Sequence, residues 1–346
     1  MLRNKAKNSL QWLIRSIEAT GNKGSSHIFA RWRYPLGGWH LGYPETTGYI
    51  IETLIKYHPI FPELDLRDHA MQSAKWLVTQ QLPNGSFPAL LSGNQTPSFF
   101  NSGMIALGLL EVLKQEKQES IMVSLKRLVA WLHQLDWGKT IYNGPSYYTR
   151  AMWAYYLLAQ TLSDQLLKKK IEQQMDNMKN RITTEMSVKS WGFESKDQAF
   201  THTIAYTWRG FYEYGQVTGK KEFLDQSTAF CKKLLSLYQT HNKLAGSYNT
   251  EWCGDYSFLC LTGHAQLSYL AQEIGWQTQN QPILQLGRAL MEDILDHQST
   301  GRVDPELKGA VAGSYPIWGK YMRFKHPNWA VKFYLDALYT YWHKNI

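Results

Sequence analysis

Residues 101–113 read NSGMIALGLLEVL, and beyond the opening Asn and Ser their only polar side chain is Glu111. A helix that is apolar nearly all round must be covered on most of its sides. Residues 124–135, SLKRLVAWLHQL, differ: one apolar stripe stands against Lys126, Arg127, His133 and Gln134, the signature of a helix with one face in water. An enclosed helix followed by a surface helix is the unit on which the fold reading rests.

The unit recurs. Segments of the enclosed type cover 43–57, 101–113, 148–162, 201–214, 260–274 and 328–343, with starts roughly fifty to seventy residues apart, a period suited to a helix pair and a loop. Segments of the surface type cover 5–19, 68–80, 120–134, 164–182, 222–238 and 282–296. About twelve helices in two alternating sets close most economically as an inner and an outer ring, an all-α (α/α)6 toroid made by residues 1–346 as a single domain. Strand signals are nearly absent. Inner helices pass to outer ones through short links, whereas the return connections are long: 21–42, 81–100, 137–147, 186–200, 240–259 and 298–327. Long loops in a compact domain are usually functional, and all six are expected on one rim.

Composition narrows the function. The chain has 346 residues, 44% of them hydrophobic, and carries a net charge of +9 from 37 basic and 28 acidic side chains, which favours an acidic partner. The basic residues are dispersed, the densest group being Lys168, Lys169 and Lys170 on a helix, so no nucleic-acid partner is expected. Three cysteines are too few for a disulfide scaffold and suit a reducing compartment. Residues 1–20 are charged and amphipathic, without the apolar core of a signal peptide, and no run long enough to span a membrane occurs, so the expected location is cytoplasmic. The oligomeric state is not readable. Aromatic residues are abundant, with 14 Trp, 21 Tyr and 13 Phe, many of them in the long connections, which suggests a lined cleft.

QQLPNGSFPA, at 80–89, resembles the Gln-rich turn with Gly and an aromatic residue that punctuates the α/α toroids of terpenoid cyclases and protein prenyltransferases. Gly246, Ser247 and Tyr248, and Trp191, Gly192 and Phe193, are weaker echoes. The resemblance implies the toroid and no particular reaction, because the acidic cyclase motif is missing: DLRD at 65–68 does not match it. Toroids of similar build include polysaccharide lyases, glycosidases and sugar epimerases, and fold alone does not choose among them.

Polar stripes on the inner helices point to a lumen. Glu45, Tyr49, Glu52 and Lys56 share the spacing i, i+4, i+7, i+11 with His202, Tyr206, Arg209 and Glu213, and with Thr262, Gln266, Tyr269 and Glu273. Asn328, Lys332, Asp336 and Tyr339 come close to it. Lys56, Glu213 and Glu273, at the C-terminal ends, are expected to reach solvent at the far mouth. The N-terminal members stand beside the long loops, where six helix N-termini also favour an anionic ligand.

His202, Tyr206, Glu45, Asp255 and Tyr256 are the catalytic candidates. Arg209, Asn249, Asn101 and Arg150 are candidates for holding a substrate carboxylate or its neighbours, together with Arg31, Arg33, Lys320 and Arg323. Trp39, Tyr43, Tyr147, Tyr148, Trp191, Trp252, Trp318, Tyr321 and Trp329 are candidates for stacking on sugar rings, about half of them being expected only to close loops over the barrel.

EWCGDYSFLCLTGH, at 251–264, raises zinc as an alternative, since Cys260 and His264 share a helix face and Cys253 and Asp255 lie just upstream. Trp252, Cys253 and Gly254 resemble the Trp-Cys-Gly loop of lanthionine-synthetase-like toroids, whose later Cys and His are adjacent; here three residues separate them. No cofactor is expected, and metal binding by this cluster stays open.

The reading is a carbohydrate-active enzyme, leaning to a polysaccharide lyase or glycoside hydrolase, that acts on an acidic oligosaccharide or polysaccharide by β-elimination, epimerisation or hydrolysis, in its assembly or turnover. His202 or Tyr206 would serve as base and acid, with Arg209 and Asn249 on the carboxylate. Hydrolysis would need two carboxylates, drawn from Glu45, Glu251 and Asp255. The alternatives are a non-catalytic glycan-binding or assembly protein, and an isoprenoid or zinc-dependent toroid enzyme.

Overall fold

The structure is a computed structural model that describes residues 1–30, 37–142, 144–193 and 196–343. Six outer helices are α1 (Leu2–Glu18), α3 (Leu66–Thr79), α5 (Glu119–Gln134), α8 (Gln165–Lys179), α10 (Lys221–His241) and α12 (Gln281–Leu295). Six inner helices are α2 (Pro44–Tyr57), α4 (Phe99–Gln115), α7 (Tyr148–Thr161), α9 (Thr201–Thr218), α11 (Leu261–Gln277) and α13 (Asn328–His343). A short α6 (Trp137–Tyr142) lies in the connection between α5 and α7. The inner helices pack in the order α2, α4, α7, α9, α11, α13, and α13 returns to α2, closing the ring. Outside them α3 lies on α2, α5 on α4, α8 on α7, α10 on α9, α12 on α11 and α1 on α13. This is the α/α toroid expected from the alternation of enclosed and half-exposed helices.

Local chemistry starts the helices. Ser98, Asp164 and Asn280 cap α4, α8 and α12 by accepting from backbone N–H groups three residues on. Pro44 opens α2 with Glu45 in its first turn, where a carboxylate faces the positive end of the helix dipole. Every side chain of α4 from Phe99 to Leu110 is buried, as its sequence requires. Inner helices touch where side chains are missing: a Cβ at Gly108 would stand 2.1 Å from the Gly48 carbonyl oxygen, so the α2–α4 contact exists only because both residues are glycine.

The long connections gather on one rim and, among the described residues, hold eight strands of two or three residues, too short to leave an alternating pattern in the sequence. β1 (Ile28–Ala30) pairs with both β2 (Gly38–Trp39) and β8 (Lys325–Pro327), joining the first rim loop to the last. β3 (Ala199–Phe200), β4 (Ser247–Tyr248) and β5 (Gly254–Asp255) form a second sheet, and β6 (Leu259–Cys260) pairs with β7 (Ser314–Tyr315). All of these pairings are antiparallel. No helix among the described residues is long and apolar enough to cross a membrane.

Candidate active site

Inside the rim a cavity of about 460 Å³ opens over the N-terminal ends of the inner helices. Glu45 from α2, Phe100 and Asn101 from α4, Tyr148 from α7, His202 from α9 and Trp329 from α13 all reach it from first turns. Rim loops add Tyr43, Leu90, Tyr147, Phe193, Lys320, Tyr321 and Met322, and β3 adds Phe200.

Its floor is aromatic. Tyr206 and Tyr49 meet with their hydroxyl oxygens 3.5 Å apart, and Phe333 packs on both, at 5.4 Å from Tyr49 and 5.7 Å from Tyr206 between ring centroids. The walls continue the pattern. Phe100 stands edge-on to Tyr147 at 5.0 Å, and the His202 ring lies 4.4 Å from Tyr206 and 5.2 Å from Tyr321. Trp329 donates from its indole nitrogen to the Tyr321 hydroxyl at 2.8 Å, fixing both rings. Such surfaces match the C–H faces of a sugar and leave hydroxyl groups free to bond its oxygens.

Glu45 is the single carboxyl among the described residues that line this cavity. Burial raises its pKa to about 7, and a hydrogen bond from Tyr43 pulls the other way. Burial also pushes the Tyr43 phenol well up, helped by the charge of Glu45, while the Asn101 amide bonds to the phenol oxygen and opposes the shift. A carboxyl that exchanges its proton near neutrality suits proton transfer. His202 is the reverse case: burial lowers its pKa to about 3, so the imidazole is neutral at ordinary pH. The Gln266 amide nitrogen lies 2.8 Å from its Nδ1; with that amide donating, the ring proton sits on Nε2. Tyr206 is fully enclosed, and burial holds its phenol protonated.

The structure thus brings Tyr43, Glu45, Asn101, Tyr147, Tyr148, His202, Tyr206, Tyr321 and Trp329 into one cavity. Other candidates lie elsewhere. Asp255 sits on β5 at the outer lip, 2.6 Å from Lys320, which with Ser257 lowers its pKa to about 2. Tyr256 lines a separate groove with Lys243 and Tyr315. The Asn249 side chain accepts from the backbone of Glu251 and Cys253 and so builds a turn. Trp191 and Trp252 pack edge to face at 5.1 Å and donate to the Asp197 and Glu185 carbonyls, sealing loops. Trp39 packs at a tilt on Trp12 and edge-on to Phe29 beside another pocket, and Trp318 stands 61% exposed. Arg323 donates to the Trp318 carbonyl. Arg31 and Arg33 lie outside the described residues.

Arg150 and Arg209 are a correction of depth: both line a second chamber beneath the Tyr49–Tyr206–Phe333 floor and do not line the upper cavity. At the far end Lys56 is exposed, and Glu213 and Glu273 are half-buried. In the Cys-rich stretch, His264 turns its Nδ1 to the Cys260 carbonyl at 3.0 Å, Cys260 is buried with its thiol pKa raised to about 12 by burial, and Cys253 is exposed. No group of three or more His, Cys, Asp or Glu residues among those described is arranged to hold a metal ion.

Phe100, Phe193, Phe200, Leu90 and Met322 were not among the residues expected at the site. Phe100 had a readable signal, since it directly precedes Asn101 at the start of an inner helix. The others reach the cavity through loop courses that no periodicity announces.

No family model matches the sequence, and no curated protein is significantly similar to it. Solved structures do share its shape. A sugar epimerase from a ruminal bacterium superposes with TM-score 0.74 at 10% identity, over 98% of this chain and 99% of that one. An unsaturated glucuronyl hydrolase from Bacillus sp. GL1, responsible for the degradation of glycosaminoglycan, superposes with TM-score 0.73 at 12% identity, over 98% and 96% of the two chains. A cellobiose 2-epimerase from Bacillus thermoamylovorans B4167 gives TM-score 0.71 at 10% identity, over 97% and 98%. At such identities the likeness is one of fold, and the chain is an α/α toroid of the architecture these carbohydrate enzymes use.

Proposed function

We propose that this protein is a carbohydrate-active enzyme whose upper cavity takes an acidic glycan, with Glu45 as the group that exchanges a proton with the substrate. The observation that carries the reading is a lone buried carboxyl with pKa about 7 inside an aromatic basin. Similar toroids that act on sugars support it.

The residue set favours proton abstraction over displacement between two carboxylates. Asp255 is outside the cavity in an ion pair and Glu251 is exposed, so neither faces Glu45 across a bound sugar. In elimination, ionised Glu45 takes the proton next to the uronate carboxylate, the C4–O bond breaks to leave a C4–C5 double bond, and a phenol protonates the departing oxygen. In this reading Tyr206 gives that proton, and the neutral His202 ring, 4.4 Å from it, orients the sugar. The helix N-termini meet the carboxylate, with Lys320, whose ammonium also pairs with Asp255 at 2.6 Å, at the lip. Epimerisation shares the abstraction step and returns the proton to the opposite face.

The test is incubation of the purified protein with uronate-containing oligosaccharides in deuterated water, following both new double-bond absorbance and exchange of the carbon-bound proton. Turnover that Glu45→Gln reduces by roughly 10²-fold or more supports the assignment. Turnover undiminished in Glu45→Gln rejects Glu45 as the acid-base group, and binding without any exchange makes this a glycan-binding protein.

A further inference from the structure

A phenol has one hydrogen to give, and its destination separates two kinds of tyrosine in this molecule. Tyr57 and Tyr155 give theirs to the backbone carbonyls of Leu335 and Phe99, at 2.8 and 2.5 Å, and so tie inner helices together. Tyr321, on the last rim loop, differs. Its oxygen accepts the indole N–H of Trp329 at 2.8 Å, and an indole can only donate. The phenol hydrogen therefore points elsewhere, and no acceptor among the described residues takes it. Burial pushes the Tyr321 phenol well above its ordinary pKa, so that hydrogen stays in place.

His202 repeats the arrangement on the adjoining wall. The Gln266 amide occupies Nδ1 at 2.8 Å, which leaves the ring hydrogen on Nε2. Nε2 has no partner among the described residues, and it is not one of the polar atoms that the protein closes off from solvent. Both residues line the upper cavity, and their rings are neighbours, with centroids 5.2 Å apart. In each case a buried side chain on another element, Gln266 from α11 or Trp329 from α13, spends its donor on the acceptor lone pair, and a hydrogen is left over for a ligand.

Two donors without an acceptor select what they bind. A sugar hydroxyl both gives and takes, so against this pair its own hydrogen would be stranded. A carboxylate only accepts, and its charge makes each hydrogen bond roughly twice as strong as a neutral one. Neither donor is itself charged, so neither needs a counter-ion when the site is empty.

We infer that Nε2–H of His202 and O–H of Tyr321 form a two-donor cradle for the carboxylate of an acidic sugar, with Gln266 and Trp329 as the positioning residues that free those hydrogens. This rests on the upper cavity being a glycan site, as already proposed, and names the groups that make it select an acid. His202 and Tyr321 hold the substrate, and Glu45 exchanges the proton.

The test measures binding, so it does not depend on turnover. Digalacturonate and a glucuronate disaccharide, each against its methyl ester, are titrated by calorimetry into the intact Glu45→Gln variant, in which proton exchange is silenced. At least one acid should bind more tightly than its ester. Tyr321→Phe, added to that variant, should weaken the acid about tenfold or more and the ester far less, the difference between losing a charged and a neutral hydrogen bond. Trp329→Phe leaves the phenol in place but unfixed and should give a smaller loss, again confined to the acid. Gln266→Glu should draw the ring hydrogen to Nδ1, seen by nitrogen-15 NMR of the His202 ring, and weaken the acid selectively. Equal affinity for acid and ester, no binding of either acid, or equal losses for acid and ester in Tyr321→Phe overturns the cradle, since a ring that only packs treats the two alike. A cradle that fails while Glu45→Gln still slows turnover leaves the proposed reaction standing, and the reverse result leaves the cradle standing.

Discussion

Gln266 on α11 holds Nδ1 of His202 on α9 at 2.8 Å, a bond between neighbouring inner helices that fixes which edge of the imidazole faces the cavity. Both groups are buried, so neither has water as a substitute partner. Gln266→Leu leaves Nδ1 unpaired and should lower stability by about 1–3 kcal/mol. Denaturant midpoints of the two proteins check this, and turnover, once an activity is in hand, should fall in Gln266→Leu and in the isosteric Gln266→Glu alike, because a carboxylate only accepts and would draw the ring proton to Nδ1.

The rate should inflect near pH 7. As a base Glu45 must be ionised, so kcat/KM rises with pH through about 7 and levels off above it. Tyr43→Phe removes the hydrogen bond that lowers the Glu45 pKa, so the inflection should move to higher pH in that variant. A profile unchanged by Tyr43→Phe would detach the inflection from Glu45.

Acid should destabilise the fold well above the carboxylate range. His202, His264 and His326 have folded pKa values lowered by burial to about 3, 4 and 4, against 6.5 unfolded, so the unfolded chain binds the extra protons. Their contribution is complete above pH 6.5 and drains away as the pH falls towards 4. Glu45, raised to about 7, works the other way, gaining stability as pH drops from 7 to 4.5, and is outnumbered. Urea midpoints at pH 7.5 and 4.5 should therefore differ, with the acidic one lower.

Gly108→Ala places a methyl group 2.1 Å from the Gly48 carbonyl oxygen and must push α4 away from α2. A loss of roughly 1–3 kcal/mol is expected, read by thermal or chemical denaturation. Gly219→Ala is the control: at φ +70° it strains the backbone, but its Cβ meets nothing within 4 Å.

Lys332→Met strands the buried Asp336 carboxylate, whose pKa of about 2 depends first among its neighbours on that ammonium. The expected cost is about 3–5 kcal/mol, and the double variant Lys332→Met with Asp336→Leu should recover much of it. Chemical denaturation of the single and double variants checks both statements.

The ring was legible because enclosure leaves a compositional mark: NSGMIALGLLEVL offers water little beyond Glu111 near its end, and SLKRLVAWLHQL offers it a whole face. The site was legible in part. Spacing along a helix says which face a residue occupies, so Glu45, His202 and Tyr206 could be grouped. It is silent on depth relative to a floor built by other helices. Arg209 shares the face of His202 but lies seven residues on, about 10 Å further down the axis, and the ring of Phe333 comes between. Asp255 misled because nearness in sequence to an inner helix implies nothing about direction once β5 turns outward. Phe193, Phe200 and Met322 arrive on irregular or two-residue segments, where no period exists to be read.

The pairing of β1 with β8 brings residues 28–30 against residues 325–327, a separation close to the whole length of the chain. Contacts of that span bear the largest loop-closure entropy and reward the chain only after the intervening repeats have already collapsed. Assembly is therefore expected to run as an open arc that lengthens helix pair by helix pair, with the α13–α2 seam last to gain protection from amide hydrogen exchange. Until that seam shuts, the basin around Glu45 has no complete wall, so catalytic competence should appear only in the slowest refolding phase.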